Sequence, residues 1–455
     1  MKYRELLDQY KKNLLEEPIR SQIEQDIEKH EAISDYLYNE EHIPELEDVF
    51  GQKAAEAGND SQPSKLPLQS QDAEFVKLVN RSIRRAFRRL GAMVLAAAVV
   101  LMLLLQFTFP RLVSSFYYNP AADVGQDENQ MSRDLAVYSE LLLPGNIRSY
   151  ANATPRGYGV YDIDIPQTVS YTGSFTTISG EITRGKLRLY NPDLLKSPTG
   201  NCFAWAQVYG DLSKPLTELE KEMNRIDEDG ERTYSLMAAC GSPDQCLEEI
   251  DALNEHTLYL AYVSLNQRMD YDAFLAWLDD LTLDHIDLRG GVWCAAQTEP
   301  LSSWNTGGEQ YFRASNLGFE TSPTCSTKFE WDQEKYPELF AWNVLSDQRE
   351  ESWGIAKQNM RSEEYAAKHF ASMLRYLADQ EQFLNMMTEE YGILRLAGGV
   401  RSESDKESDA LRAAADYIEQ NGLSVYGFAV QMQKADIQAL MELPEVYVIY
   451  TEVLY

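Results

Sequence analysis

The stretch RRAFRRLGAMVLAAAVVLMLLLQFTF, residues 84–109, decides how the rest of the chain is arranged. Its last 20 residues carry no charge. A helix of that length, at about 1.5 Å per residue, covers the ~30 Å hydrocarbon core of a bilayer. A buried core helix normally carries a polar stripe, whereas this segment has only Gln106 and Thr108 near one end. Because the sequence has no second segment of comparable length and apolarity, we predict an α+β membrane protein with one transmembrane helix at 90–109.

Positive charge lies almost entirely on one side of this segment. Cationic residues that flank a span stay in the cytoplasm, where anionic lipid headgroups also hold them. We therefore predict a cytoplasmic N-terminus, a basic juxtamembrane helix at 75–89 and an extracellular part after residue 109. This interpretation, a determinant of topology and a lipid anchor, is preferred to nucleic-acid binding. Only Arg111 follows the span closely, whereas six cationic residues precede it: Lys77, Arg81, Arg84, Arg85, Arg88 and Arg89.

The formal charge of −31 is divided unevenly along the chain. Residues 1–74 carry 18 acidic and 8 basic side chains, residues 75–109 carry six basic and no acidic ones, and the remainder has a net charge of −27. An exterior domain this acidic does not bind nucleic acid or anionic polymers by charge.

Before the span, residues 1–50 have the pattern of a small helical module. Residues 51–74, which are small, polar and contain Pro and Gly, have the pattern of a flexible linker. Two amphipathic helices of this size close only a small core, so part of their apolar stripe is expected to contact a partner, although a homodimer would also cover it. The residues predicted to form this contact are Leu7, Tyr10, Leu14, Ile19, Ile23, Ile27, Ile33 and Leu37.

The sequence ELLDQYKKNLLEEPIRSQIEQDIEKHEAISDYL, residues 5–37, resembles the helical module of bacterial membrane-bound anti-sigma factors. Zinc-containing members of that class carry a histidine followed by cysteines four and seven residues later, which places three ligands on one helix face. The matching positions here are His30, Ser34 and Leu37, and no cysteine precedes the span. The resemblance therefore implies a sigma-binding module without zinc, in which His30 belongs to the stripe.

The exterior part divides into a predicted linker at 110–134, a β-rich lobe at 135–255 and an α+β domain at 256–455. The lobe is predicted from β-branched segments between glycine turns. In the α+β domain TLYLAYVSL, an amphipathic helix and GGVWCAA follow one another, and the same order recurs from SVYGFAVQM to EVYVIYTEVL. Two such β-α-β units predict a sandwich with ferredoxin-like units, although their weak similarity does not fix the strand order.

These stretches carry a second resemblance. YLAYVSLNQRMDYDAFLAWLDDL, GGVWCAAQTE, NLGFETSP and the final VYGFAVQMQKADIQALMELPEVYVIYTEVLY are similar to the extracellular C-terminal domain of the Firmicutes sigma factor regulator proteins. In that family a basic, single-span region precedes the exterior domain, as residues 75–120 do here. The resemblance implies an anti-sigma factor that holds an extracytoplasmic-function sigma factor at the membrane and releases it on an envelope signal.

No enzyme signature accompanies these features. The sequence has no nucleophile elbow, P-loop, dinucleotide fingerprint or HExxH motif, and its histidines and cysteines have no metal-ligand spacing. Acidic pairs such as Asp279-Asp280 are expected at the solvated surface, and the tryptophans in the core or partly buried at its edge. We therefore predict no catalytic residue, cofactor or metal, and a sigma factor and membrane lipid as partners, with a homo-oligomer or a second membrane regulator left open. The alternative is a membrane-anchored extracellular enzyme or cell-wall-binding protein with a non-functional cytoplasmic tail.

Overall fold

The computed structural model divides the 455-residue chain into two compact units, Met1–Val94 and Leu95–Tyr455. In the first unit it describes scattered positions up to residue 29 and then a continuous helix. The described residues are 10, 12, 19, 20, 23, 25, 27–29, 68–145, 149–168, 175–191, 195, 202–206, 208–223, 243–283, 286–303, 310–312, 316–323, 327–343, 349–389 and 406–453.

The apolar segment is part of one long helix that also includes the basic residues before it. Residues 68–74, the end of the predicted 51–74 linker, are helical as well, because Leu, Gln, Ala and Glu are good helix formers. Among the described residues, this helix alone has the length and composition to cross a membrane. Its parts are α1 (Leu68–Leu103), a π-helical turn (Leu104–Thr108) and α2 (Phe109–Ser114).

The π-helical turn ends just before a proline. Its register bonds the Phe109 N–H to the carbonyl oxygen of Leu104, five residues earlier. The next bond of that register would run from residue 110 to Leu105, but Pro110 has no N–H. The carbonyl oxygen of Leu105 therefore needs a donor from elsewhere.

Residues 110–134, predicted as a linker, pack into the domain instead. Tyr118 and Met131 are buried there, and helix α3 (Gln130–Leu142) begins within this stretch. The Asn129 side chain caps α3 by accepting a hydrogen bond from a backbone N–H of its first turn at 2.9 Å. The many polar and turn-forming residues of this stretch predict a linker, but several of them make hydrogen bonds inside the domain.

The next four strands form an antiparallel meander in the order β1-β2-β3-β4. Isoleucines on one face, such as Ile163 and Ile178, are fully buried, whereas the other face is largely exposed. This alternation is typical of an antiparallel sheet with one solvated face. The strands are β1 (Asn152–Gly157), β2 (Val160–Thr168), β3 (Phe175–Thr183) and β4 (Lys186–Leu189).

The remaining elements build a second, larger sheet and the layers on its two sides. In chain order they are β5 (Val208–Gly210), α4 (Leu216–Met223), α5 (Pro243–Asp251), β6 (Leu258–Asp270), α6 (Tyr271–Leu283), β7 (Arg289–Ala296), β8 (Ser302–Ser303), β9 (Gln310–Phe312), β10 (Gly318–Glu320), α7 (Arg349–Asn359), α8 (Glu363–Asp379), α9 (Glu381–Glu389), α10 (Glu407–Asn421), β11 (Ser424–Gln433), α11 (Lys434–Met441) and β12 (Val446–Val453).

Five of these strands form one antiparallel sheet in the order β10-β7-β11-β6-β12. The two β-α-β units of the sequence are β6-α6-β7 and β11-α11-β12, and they interleave. Strand β11 lies between β6 and β7, and β6 lies between β11 and β12. This is the split β-α-β arrangement of ferredoxin-like domains.

Both faces of the larger sheet are buried, because alternate side chains of its strands enter different cores. Along β6, Tyr259, Ala261 and Val263 enter a core shared with residues of α6, α8, α10 and α11. Leu260 and Tyr262, between them, enter a second core on the other face. A sheet covered on both sides explains why these strands are almost continuously apolar.

The second core also contains side chains from a part of the chain that comes well before the first strand of the larger sheet. Phe203 stacks on Trp293, with ring centroids 6.4 Å apart, and meets Tyr426 edge to face at 5.5 Å. Gly427 permits this approach, since a Cβ there would lie 2.5 Å from the Phe203 ring and 2.7 Å from the Val263 carbonyl oxygen. Packing therefore crosses the boundary predicted between the β-rich lobe and the α+β domain.

Candidate functional site

Four of the eight residues predicted to contact a partner lie among the described positions. Ile23 is buried, with 3% of its surface exposed, whereas Ile19 is 44% exposed, and Tyr10 and Ile27 are half-buried. The three isoleucines are four residues apart, so they share one helix face. The middle of this face is therefore packed within the chain, and Ile19 leaves apolar surface uncovered. Outside the described residues lie Leu7, Leu14, His30, Ile33 and Leu37.

The basic residues predicted to set the topology lie on α1, directly before the apolar run. Apolar residues on the same helix are exposed too, Phe87 by 70%. A helix with cationic and apolar side chains that are both unburied is suited to a lipid–water interface. Lys77 is part of this helix, and the five basic residues whose side chains the structure describes are all exposed: Arg81, Arg84, Arg85, Arg88 and Arg89.

The apolar run itself is not buried within the chain. None of its most apolar stretch is covered, and Leu95 and Met102 are 68% and 65% exposed. A core helix of a soluble domain would bury such side chains. The helix is therefore a candidate membrane span and not a core helix of this domain.

The C-terminal end of the apolar helix is bonded to the turn between β1 and β2. The Tyr158 hydroxyl donates to the Leu105 carbonyl oxygen at 2.7 Å, and so supplies the hydrogen bond that Pro110 cannot. Beside it, the Gly159 N–H donates to Ser114 Oγ at 2.9 Å, and Ser114 Oγ donates to the Pro110 carbonyl oxygen at 2.8 Å. The meander is thus attached to polar groups at the end of the helix.

A buried carboxyl group lies near the start of α3. The Asp134 carboxylate accepts hydrogen bonds from the Tyr118 hydroxyl at 2.7 Å, the Tyr376 hydroxyl at 2.5 Å and the Gln130 side-chain amide at 2.6 Å. Burial raises the pKa of Asp134 to about 6, although these hydrogen bonds and Arg133 oppose the rise. The cluster connects α3 to α8.

Glu320, the last residue of strand β10, carries a second buried carboxyl group. Burial raises the pKa of Glu320 to about 8, and the nearby Glu140 carboxylate, on α3, adds to the rise. The Oε2 atom of Glu320 has no hydrogen-bond partner among the described residues. At neutral pH this carboxyl group therefore holds a proton.

His369, on α8, is fully buried beside the same carboxylate. Its Nε2 lies 3.0 Å from Glu140 Oε1, and its Nδ1 lies 2.7 Å from the Glu338 carbonyl oxygen. Since a carbonyl oxygen only accepts hydrogen bonds, Nδ1 carries a proton. Burial by itself lowers the pKa of His369, but the charge and hydrogen bond of Glu140 outweigh burial, and the pKa is raised. The cluster is a hydrogen-bonded pair of His369 and Glu140 beside the buried carboxyl group of Glu320.

Carboxyl groups with separated pKa values are typical of acid–base catalysis, but these are enclosed by packed side chains. These carboxyl groups can bind or release protons as the domain folds, so the stability of the domain depends on pH. Neither cluster could be recognised in the sequence, because α3, β10 and α8 contribute one or two residues each and share no motif.

The acidic pair and the tryptophans noted in the sequence make structural contacts. Asp279, of the acidic pair 279–280, forms a surface ion pair with Arg361 at 2.5 Å, and Trp205 and Trp293 are core residues. Within the described ranges, no group of three or more His, Cys, Asp or Glu side chains could hold a metal ion. Three cysteines are buried: Cys202, Cys246 and Cys294.

One protein-family model matches the C-terminal part of the chain. The family model described as sigma factor regulator C-terminal matches residues 250–451. The matched segment begins at the end of α5 and includes both β-α-β units and the helices inserted between them. No curated protein and no solved structure matches the chain. The C-terminal part of the chain, residues 250–451, therefore matches the C-terminal domain of sigma factor regulators.

Proposed function

We propose that the chain is a membrane-bound anti-sigma factor, which holds an extracytoplasmic-function sigma factor at the cytoplasmic face of the membrane and releases it on an envelope signal. The observation that carries this proposal is the sigma factor regulator domain on the same chain as a candidate span and an N-terminal apolar helix face. A domain on one side of a membrane can act on a sigma factor on the other side through such a chain.

The proposed orientation has residues 1–89 in the cytoplasm and the sigma factor regulator domain outside. Six cationic residues before the span against one directly after it support this orientation. Reporter fusions test it: a cytoplasm-active fluorescent protein should be active at the N-terminus, and an export-dependent phosphatase at the C-terminus. The reverse pattern would reject the orientation.

The proposed contact is the apolar face on which Ile19 is exposed, in a segment rich in acidic residues, which would complement the basic surfaces of a sigma factor. The His-Cys-Cys zinc pattern of zinc-containing anti-sigma factors is missing from this segment, since it contains no cysteine. The exterior domain is proposed as the sensing part and not as an enzyme.

The test is co-purification of the full-length chain with the candidate sigma factor encoded beside it, together with a sigma-dependent reporter. Ile19→Glu is compared with Gln25→Glu, which places the same charge at another exposed position of the N-terminal segment. Burial of an isoleucine contributes about 1.5–3 kcal/mol, so Ile19→Glu should weaken the complex by roughly 10- to 100-fold and raise reporter activity. Equal effects of both substitutions, or no complex between two folded proteins, would contradict the proposal.

The alternative, a membrane-anchored extracellular enzyme or cell-wall-binding protein, makes the opposite prediction for the N-terminal segment. Deletion of residues 1–50 would leave the function of such a protein intact. In an anti-sigma factor the same deletion releases the sigma factor and leaves the reporter permanently active.

A further inference from the structure

Two tight turns of the β1–β4 meander lie side by side at one end of the sheet. One turn is Gly157-Tyr158-Gly159 and the other is Arg184-Gly185, and the Arg184 N–H donates to the Gly159 carbonyl oxygen at 2.7 Å. Tyr158 and Arg184 both have positive φ angles, of 56° and 52°. Such residues form the extreme tips of hairpins.

These turns lie level with the end of the apolar helix. Tyr158 bonds to the carbonyl oxygen of Leu105, which is four residues, or about 6 Å, inside the last residue of the uncharged run, Phe109. A tyrosine side chain reaches about as far as this offset, so a helix that spans the hydrocarbon core up to Phe109 would place the backbone of both turns near the boundary between acyl chains and headgroups. Tyrosine is enriched at that depth in membrane proteins.

The side chains exposed around the turns have the chemistry of a membrane interface. Phe116 is 70% exposed and Tyr158 is 40% exposed. Arg111, Arg184 and Lys186 are exposed beside them. In a region with a net charge of −27, an anionic surface would repel the domain as a whole but attract this end of the meander.

We propose that this end of the meander is a lipid-contact surface, defined by Phe116, Tyr158, Arg184 and Lys186. The two aromatic rings lie at the boundary of the acyl chains, and the two cations bind the phosphates of anionic phospholipid headgroups. The surface fixes the tilt of the domain relative to the membrane. This inference rests on the helix spanning a membrane, as in the proposed function, but not on sigma-factor binding or on which side the domain lies.

Photo-crosslinking of the full-length chain in nanodiscs of phosphatidylcholine and phosphatidylglycerol tests the inference. Benzoylphenylalanine is introduced in separate preparations at Lys186, at Thr177 and at Leu95, and lipid adducts are measured by mass spectrometry. Thr177 is also exposed, but lies about 20 Å further along the neighbouring strand, on the basis of ~3.4 Å per residue.

Adducts should form at Leu95 and Lys186, and at least tenfold fewer at Thr177. Adducts at Leu95 without adducts at Lys186, or equal yields at Lys186 and Thr177, would overturn the inference while leaving the span intact. A lack of adducts at Leu95 would instead reject the span, and with it the proposed function.

A second measurement tests the charge. With the photo-probe at Arg188, the double substitution Arg184→Glu and Lys186→Glu should lower the preference for phosphatidylglycerol over phosphatidylcholine by about fivefold for each cation replaced. The matched control reverses two exposed lysines elsewhere in the domain, Lys328 and Lys357, and should leave the preference unchanged. Equal losses in both variants would show that net charge and not this surface selects the lipid.

Discussion

Replacement of Glu320 by glutamine should change how the stability of the C-terminal domain depends on pH. In the folded protein this buried carboxyl group has a pKa of about 8, against an ordinary value of 4.5 for a glutamate in water. A group whose pKa is raised by folding contributes stability that is fully present below the unfolded pKa and is lost as the pH rises through the folded pKa. The wild-type domain therefore loses stability between about pH 4.5 and about pH 8.

The size of this loss follows from the two pKa values. They differ by about 3.5, and each pKa unit corresponds to about 1.4 kcal/mol, so the loss is at most about 5 kcal/mol. Glutamine is nearly isosteric with the protonated acid and stays neutral. Glu320→Gln should therefore match the wild type near pH 5 and exceed its unfolding free energy by several kcal/mol near pH 9.

The measurement is denaturant unfolding of the full-length chain in detergent micelles at a series of pH values. Tryptophan fluorescence is a suitable signal, since Trp293 pairs with Glu320 on the neighbouring strand. The pKa values of Asp134 and His369 are raised too, so the variant should keep the part of the pH dependence that these groups cause.

Glu442→Gln, at an exposed position, is the control and should follow the wild type at every pH. A difference between Glu320→Gln and wild type that does not change with pH would refute the reasoning. So would a variant that is less stable than wild type at alkaline pH.

Two further substitutions test the packing, each with its own control. Tyr158→Phe leaves a backbone carbonyl of the apolar helix without a donor inside the detergent and should lower the unfolding free energy by about 1–3 kcal/mol in denaturant unfolding. Tyr150→Phe loses a hydrogen bond that water can replace, and should cost less than about 0.5 kcal/mol in the same assay. Gly427→Ala pushes a methyl group against Phe203 and should destabilise the domain by about 1–3 kcal/mol in the same assay. Gly354→Ala, in open space on α7, should instead be neutral or stabilising by up to about 1 kcal/mol, and a loss at Gly354 as large as that at Gly427 would contradict this account.

The elements with strong periodicity could be predicted from the sequence. The uncharged run at 90–109 lies in a long exposed helix, and the two β-α-β units occur at the predicted places. Their interleaving could not be predicted, because strand order depends on contacts between segments more than 100 residues apart, such as Phe428 against Val263.

The buried polar residues could not be predicted, because the sequence around them is typical of a linker or a surface. Asp134 follows a run of polar and turn-forming residues, and its burial depends on two tyrosines from other parts of the chain. Glu320 lies in the short strand GFE, and only the pairing of β10 with β7 encloses it. A carboxylate is normally exposed, so composition alone favours the wrong surroundings for both.

The interleaved strands of the larger sheet have a consequence for limited proteolysis. A cut between β7 and β11 leaves β6 and β7 on one fragment and β11 and β12 on the other, and each fragment supplies the hydrogen-bond partners of the other. The nicked halves should therefore stay assembled. Separation of the domain from the apolar helix therefore requires a cut outside this sheet, in the segment between α2 and the buried Tyr118.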